Sequence, residues 1–319
     1  MKNILLITGD PNSINSEIIF KTIKKLDKKI KEKIFLISNF DLLKEQFKAL
    51  KFKQKLLKIK NFDNNDKSDC LKVFDIKLKF NNPFNVEEKE ASRFVLESLN
   101  FGHKLAINNK GTALINCPVN KRLLNNKGFG ITEYLAKKNK ITDQSEVMLI
   151  KNNELAVSPI TTHEDIKNVS KKLNKTIIFK KIKRINDWYK LFLKKKPKIA
   201  VLGLNPHNAE LRKNSEEFKI IIPAIKKLVK GKVNVFGPFV SDTIFIQNYK
   251  KFDVIVGMFH DQVLSPFKAL YKFDAINLTL GLKYLRASPD HGTAIDLIKK
   301  NKASSKSLER CVEFIYKNY

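Results

Sequence analysis

Seven short apolar runs recur along the chain, with room for a helix between most of them. They are "NILLIT" (3–8), "KIFLIS" (33–38), "TALINC" (112–117), "KIAVLGL" (198–204), "KVNVF" (232–236), "FDVIVGM" (252–258) and "AINLTL" (275–280). Uninterrupted runs of this length, rich in isoleucine, valine and leucine, suit strands covered by helices on both faces. The stretches between, such as "SEIIFKTIKKLDKKI", "ASRFVLESLNFGHKLAI", "EEFKIIIPAIKKLVK" and "SDTIFIQNYKKF", repeat apolar residues at helical spacing. This alternation predicts an α/β fold with a largely parallel sheet. One segment departs from it: "EVMLIKNNELAVSPI" reads as an antiparallel hairpin turning about "KNNE". Residues 164–195 read as helical and strongly basic, and "SSKSLERCVEFIYKNY" as a serine-capped amphipathic helix. The 319 residues are enough for two domains, but no repeat or low-complexity linker separates them. The division is therefore discontinuous or tightly packed.

Composition removes several classes of function. At 43% hydrophobic residues the chain is globular, and no apolar run reaches the roughly 18–20 residues that span a bilayer. The run in "MKNILLITGDPNS" is shorter than the roughly 7–15 residues of a signal peptide, so a cytoplasmic protein is expected. Cys70, Cys117 and Cys311 have no metal-binding spacing, and Cys117 reads as a small core residue. The net charge of +30 invites a nucleic-acid reading, yet only six of the 62 basic residues are arginine (93, 122, 184, 212, 286 and 310) and they form no cluster. A solvated lysine surface that draws in small anions fits better. Where lysine is the default cation, each arginine is a candidate for a site needing a planar two-pronged donor. Gly9, Gly203, Gly257 and Gly281, among only 11 glycines, stand where apolar runs end, as the lip of a site would.

Neither G-x-G-x-x-G after the first strand nor G-x-x-x-x-G-K-[ST] is present, which argues against a Rossmann dehydrogenase or a P-loop enzyme. The histidines say more. Of five, His163 ends "SPITTH", His207 sits in "GLNPH" and His260 in "MFHDQ", each just past an apolar run. Each alone can be a packed or solvated residue. Three together can share a divalent ion such as Zn²⁺, with an open position for Lewis-acid chemistry. His291, in "ASPDHGTA", is either part of a turn and helix cap or of a loop whose N–H groups bind an anion at the start of "TAIDLIKKN". Lys268, Asn277 and Arg286 form a second group: the two cations can grip a phosphate or carboxylate, or Arg286 can serve a structural ion pair.

The stretch "HDQVLSPFKALYKFDAINLTLGLKYLRASPDHGTAIDL" resembles the long signature of the 4-phosphohydroxy-L-threonine dehydrogenases of pyridoxal 5′-phosphate biosynthesis, HDQ, P-x-K, N-x-T-L-G-L, R-x-S-P-D-H-G-T-A. "ITGDPNSINSEI", "INCPVNK", "TTH", "GLNPH" and "GPFVSDTIF" resemble further family motifs, in order, from residue 7 onward. The resemblance implies a two-domain α/β/α fold like that of isocitrate and isopropylmalate dehydrogenases. We expect residues 1–118 plus 293–319 in the first domain, and 119–292 in the second. It implies a homodimer with its site at the interface, NAD as cofactor, and a divalent metal (Zn, Mg, Mn or Co) on His163, His207 and His260, with His260 supplied by the partner. Substrate-binding positions of the family fall on Thr132, Lys268, Asn277 and Arg286. Asp242 and Lys121 are candidates for taking the substrate's hydroxyl proton, beside a metal-bound water. The reaction implied is oxidation of 4-phosphohydroxy-L-threonine, then decarboxylation to 3-amino-2-oxopropyl phosphate.

The chain departs from the pattern in three places. G-H-T-E becomes "GITE", so Ile131 replaces a substrate-binding histidine. "SINSE" lacks two glycines of G-I-G-P-E, and "NAELRKN" stands where G-E-G-G follows N-P-H. Isoleucine donates no hydrogen bond, and losing a buried polar contact costs about 1–3 kcal/mol. A sister activity on another phosphorylated hydroxy acid, of the 4-phosphotetronate type, therefore stays open.

Overall fold

The computed structural model describes residues 3–62, 69–109, 111–124, 130–141, 143 and 145–318. Gly128 of the "GFGITE" motif lies outside them. Among the described residues twelve strands are formed: β1 Asn3–Ile7, β2 Ile34–Ser38, β3 Leu56–Ile59, β4 Leu71–Asp75, β5 Thr112–Asn116, β6 Val147–Lys151, β7 Ala156–Pro159, β8 Ile199–Leu202, β9 Val235–Phe239, β10 Val254–Gly257, β11 Ile276–Leu280 and β12 Arg286–Pro289. Two compact units divide the chain, residues 1–138 with 283–319, and residues 139–282.

In the first unit the strand order is β3-β4-β2-β1-β5-β12, with each strand parallel to its neighbours. β1, β2 and β5 are buried along their whole length, as continuous apolar runs flanked by helices must be. The helices Asn15–Lys25, Phe40–Ala49, Glu88–Asn108 and Lys306–Asn318 bury one face each. Residues 119–138 and 283–292, expected in the second domain, fall in this unit. Within 283–292, Arg286 and Ala287 of β12 pair with Leu114 and Ile115 of β5, and within 119–138, Leu123 O accepts from Ser92 Oγ of the helix Glu88–Asn108 at 2.8 Å.

In the second unit the order is β11-β6-β7-β10-β8-β9. β7, β10, β8 and β9 run parallel, while β6 is antiparallel to both β7 and β11. The β6–β7 hairpin turns at Asn152, whose side chain accepts from the N–H groups of Glu154 and Leu155. Its core gathers Ile150, Val157, Ala200, Leu202 and Ile255 under Val263 and Phe267 of the helix His260–Tyr271.

Candidate active site

β7, β10 and β8 are neighbours and parallel, so their C-terminal ends lie side by side, where open α/β sheets place their chemistry. His163 follows β7, His260 follows β10 and His207 follows β8. The turn bearing His163 is tied to the end of β10: Ile160 N donates to Gly257 O at 2.8 Å, and the Thr161 hydroxyl to Met258 O at 2.8 Å. From the other side Lys181, a buried residue of the helix Lys175–Phe192, donates to Ile160 O at 2.8 Å. The rings of His163 and His260 come to 5.9 Å, centroid to centroid. His260 Nδ1 lies 2.6 Å from a carboxylate oxygen of Asp261. A carboxylate only accepts, so in the neutral ring Nδ1 carries the proton and Nε2 keeps its lone pair for a metal.

The two rings meet within one chain, whereas the family resemblance implies His260 from the partner. His207 does not join them: among the described residues no three His, Cys, Asp or Glu side chains are gathered to hold a metal ion. It is exposed and opens a run, His207–Leu211, in which five successive non-glycine residues take φ of 51°, 56°, 51°, 45° and 55°. Each left-handed residue costs about 1–2 kcal/mol, so the surroundings must hold this turn. Asn208 Nδ2 donates to Pro238 O at 3.1 Å, and buried Glu217 accepts from Leu204 N and Asn205 N, both at 2.8 Å. Burial pushes the Glu217 carboxyl up, but the bonds from Asn205 and Leu204 outweigh it and leave it below its ordinary value.

Gln262 joins the ends of β10, β8 and β9. Its Oε1 accepts from Met258 N at 2.6 Å, and its Nε2 donates to Gly203 O and Ser241 Oγ, both at 2.7 Å. One side chain thus ties the segments leading to His260, His207 and Asp242. Sequence reasoning passed over it because a glutamine carries no signal without its partners. Two of the strand-end glycines make room for these contacts rather than for a ligand. A Cβ on Gly203 would lie 2.1 Å from Asn208 Oδ1, and one on Gly257 would lie 2.8 Å from Gln262 Oε1.

In the same unit Lys268 is half-buried, two turns beyond His260 on its helix. Asn277 lies on β11, and its Oδ1 is buried with no hydrogen-bond partner. Asp242 is exposed in the first turn of the helix Ser241–Gln247. In the first unit Arg286 is 2% exposed on β12. Its Nε donates to Asn116 Oδ1 at 2.8 Å and its Nη1 to Thr132 Oγ1 at 3.4 Å. Burial lowers its pKa to about 10, so it remains a cation at neutral pH. Thr132 sits in the first turn of the helix Ile131–Lys138, whose start is capped by Glu133 accepting from Gly130 N at 2.9 Å. Ile131 is the first residue of that helix, and Lys121 is exposed on the turn Lys121–Leu124. The helix expected after His291 is only a 3₁₀ turn, Ile295–Leu297. His291 therefore caps no helix; its Nδ1 lies 3.0 Å from Gly292 O and its Nε2 is buried without a partner.

The family model for the pyridoxal phosphate biosynthetic protein PdxA matches residues 15–315. The chain belongs to the PdxA family. It is 35% identical over 320 residues to the 4-hydroxythreonine-4-phosphate dehydrogenase of Sulfurihydrogenibium sp. (strain YO3AOP1), covering 98% of this chain and 97% of that one. A crystal structure of 4-hydroxythreonine-4-phosphate dehydrogenase from Klebsiella pneumoniae superposes with a TM-score of 0.83 at 28% identity, covering 99% of each chain. Isocitrate dehydrogenase from Methylococcus capsulatus, at 12% identity and a TM-score of 0.51 over 99% of this chain and 85% of that one, shares the fold. The family resemblance, the fold class and the expectation of an oxidoreductase all stand. No described helix is long and apolar enough to cross a membrane.

Proposed function

We propose that this PdxA-family chain oxidises 4-phosphohydroxy-L-threonine with NAD and a divalent ion, the resulting β-keto acid losing CO₂ to give 3-amino-2-oxopropyl phosphate. The observation that carries the reading is the pairing of His163 and His260 at adjacent strand ends, in a chain with family relatives of that name. His163 and His260 hold the ion from one chain, and His207 of a second copy completes the set in a cytoplasmic homodimer. The ion (Zn²⁺, Mg²⁺, Mn²⁺ or Co²⁺) supplies Lewis acidity toward the substrate hydroxyl and the keto group that follows. The nicotinamide nucleotide supplies the hydride acceptor.

The chain's own side chains bind and orient. Arg286 and Thr132 present donors to the anionic end of the substrate, with the Arg286 plane fixed by Asn116. Lys268 adds a positive charge. The unpartnered Oδ1 of Asn277 accepts from a substrate hydroxyl or ammonium, which relieves a buried polar atom. Asp242 and Lys121 are the two side chains assigned to take the hydroxyl proton, and separate variants at each distinguish them by their pH–rate profiles.

Ile131 favours a second reading, a sister dehydrogenase for a phosphorylated hydroxy acid of the 4-phosphotetronate type. The test is NADH formation by the metal-loaded enzyme on both substrates. Turnover of 4-phosphohydroxythreonine supports the first reading. Turnover of the tetronate alone replaces it with the second.

A further inference from the structure

Arg184, one of only six arginines, belongs to none of the groups above. It projects from the helix Lys175–Phe192 and, in the second unit, lines a cleft of about 460 Å³ together with Asp143, Lys180, Lys183, Trp188 and Gly281. Its guanidinium lies against Gly281, so close that a Cβ there would sit 1.9 Å from Nη1. Gly281 takes φ +104°, which also favours glycine. The other charges of the cleft are spoken for. Lys180 donates to Asp143 at 2.8 Å and Lys183 to Asp187 at 2.5 Å. Lys180 and Ser145 hold the Asp143 carboxyl down to about 2, so it is ionised and occupied at neutral pH. Among the described residues of the cleft, Arg184 alone is left over. Its Nη1 is buried with no hydrogen-bond partner among the described residues.

A half-buried guanidinium rarely goes unmatched in a folded protein, because its donors lose water without gaining an acceptor. Trp188 lies one helical turn beyond it, and its ring meets that of Phe192 at 5.5 Å. An unmatched planar cation beside an aromatic wall, inside a cleft, describes a receptor for an anion with an apolar body. We propose that this cleft binds a small organic oxyanion, a phosphate or carboxylate on a planar apolar group, with Arg184 as its counter-ion and Trp188 beside its body. It is a site separate from the strand-end histidines.

Trp188 is the chain's single tryptophan, so its emission reports on this cleft alone. The experiment titrates the metal-loaded full chain with phenyl phosphate, with inorganic phosphate and phenol as controls. The expected result is a saturable change in tryptophan emission with phenyl phosphate, and an apparent Kd raised about tenfold or more in Arg184→Gln. His260→Ala is expected to leave the titration unchanged. Should Arg184→Gln fail to fold, Gly281→Ala, which evicts the guanidinium, serves the same purpose. No saturable change, an equal response in the Arg184 variant, or a response matched by phenol overturns the proposal.

Discussion

The imidazole rings of His163 and His260 lie 5.9 Å apart and are tilted by 36° within a single chain. Two imidazoles sharing an ion through nitrogens about 2.0–2.1 Å from it place their centroids roughly 5 Å apart. The observed separation is within about 1 Å of that value. If His207 arrives from a second copy, His163→Ala and His207→Ala should each be inactive as homodimers, whereas mixed dimers of the two should regain activity at one intact site. Mixed dimers without activity would assign all three ligands to one chain.

Gln262 predicts a loss of metal without a loss of fold. Gln262→Ala removes three hydrogen bonds that align the strand ends. Zn²⁺ affinity, read by isothermal titration, should fall about 10–100-fold, with far-ultraviolet circular dichroism unchanged. Unchanged affinity would show that the strand ends hold their places without it.

Ile131 is the first residue of the helix bearing Thr132. Ile131→His restores a donor there and should lower KM for 4-phosphohydroxythreonine by roughly 10–100-fold, the equivalent of about 1–3 kcal/mol, with less effect on kcat. Steady-state kinetics on both candidate substrates measure this. An unmoved KM would favour the sister substrate.

His103 predicts sensitivity to acid. It is buried in the first unit, with Nδ1 2.9 Å from the Tyr284 hydroxyl, and burial, aided by Lys138 and Lys283, lowers its pKa below 6.5. The unfolded chain then binds the proton more readily than the folded one, so stability rises with pH through this window. Acidification from 6.5 downward should lower Tm, and His103→Gln should flatten that part of the profile.

Glu210 is exposed and held at φ 45°. Glu210→Gly removes left-handed strain while giving the unfolded chain more freedom. The net gain should be about 0.5–1 kcal/mol in urea unfolding. A destabilised variant would mean that the side chain, not the backbone, holds the turn.

The strands buried on both faces were legible because nothing polar interrupts them, and the three histidines stood out because each follows such a run. β3 and β4 were missed for the opposite reason. β4 carries Lys72, buried with its ammonium 5.2 Å from the Phe35 ring centroid, and β3 is only partly covered. β12 is "RASP", with no apolar run at all. Arg286 drew notice by its rarity, but its seat on a strand against Asn116 depends on a partner 170 residues away. Gln262 was invisible for a similar reason: two of its three partners lie on segments distant in sequence.

The insertion of the last-made strand beside β5 has a consequence for synthesis. Residues 139–282 form a continuous unit that can close while the chain is still being translated. The first unit cannot, since β5 waits for β12 and Asn116 waits for Arg286. Until that guanidinium leaves the ribosome, the nascent protein has His163 and His260 in a closed unit but not the buried cation beside Thr132.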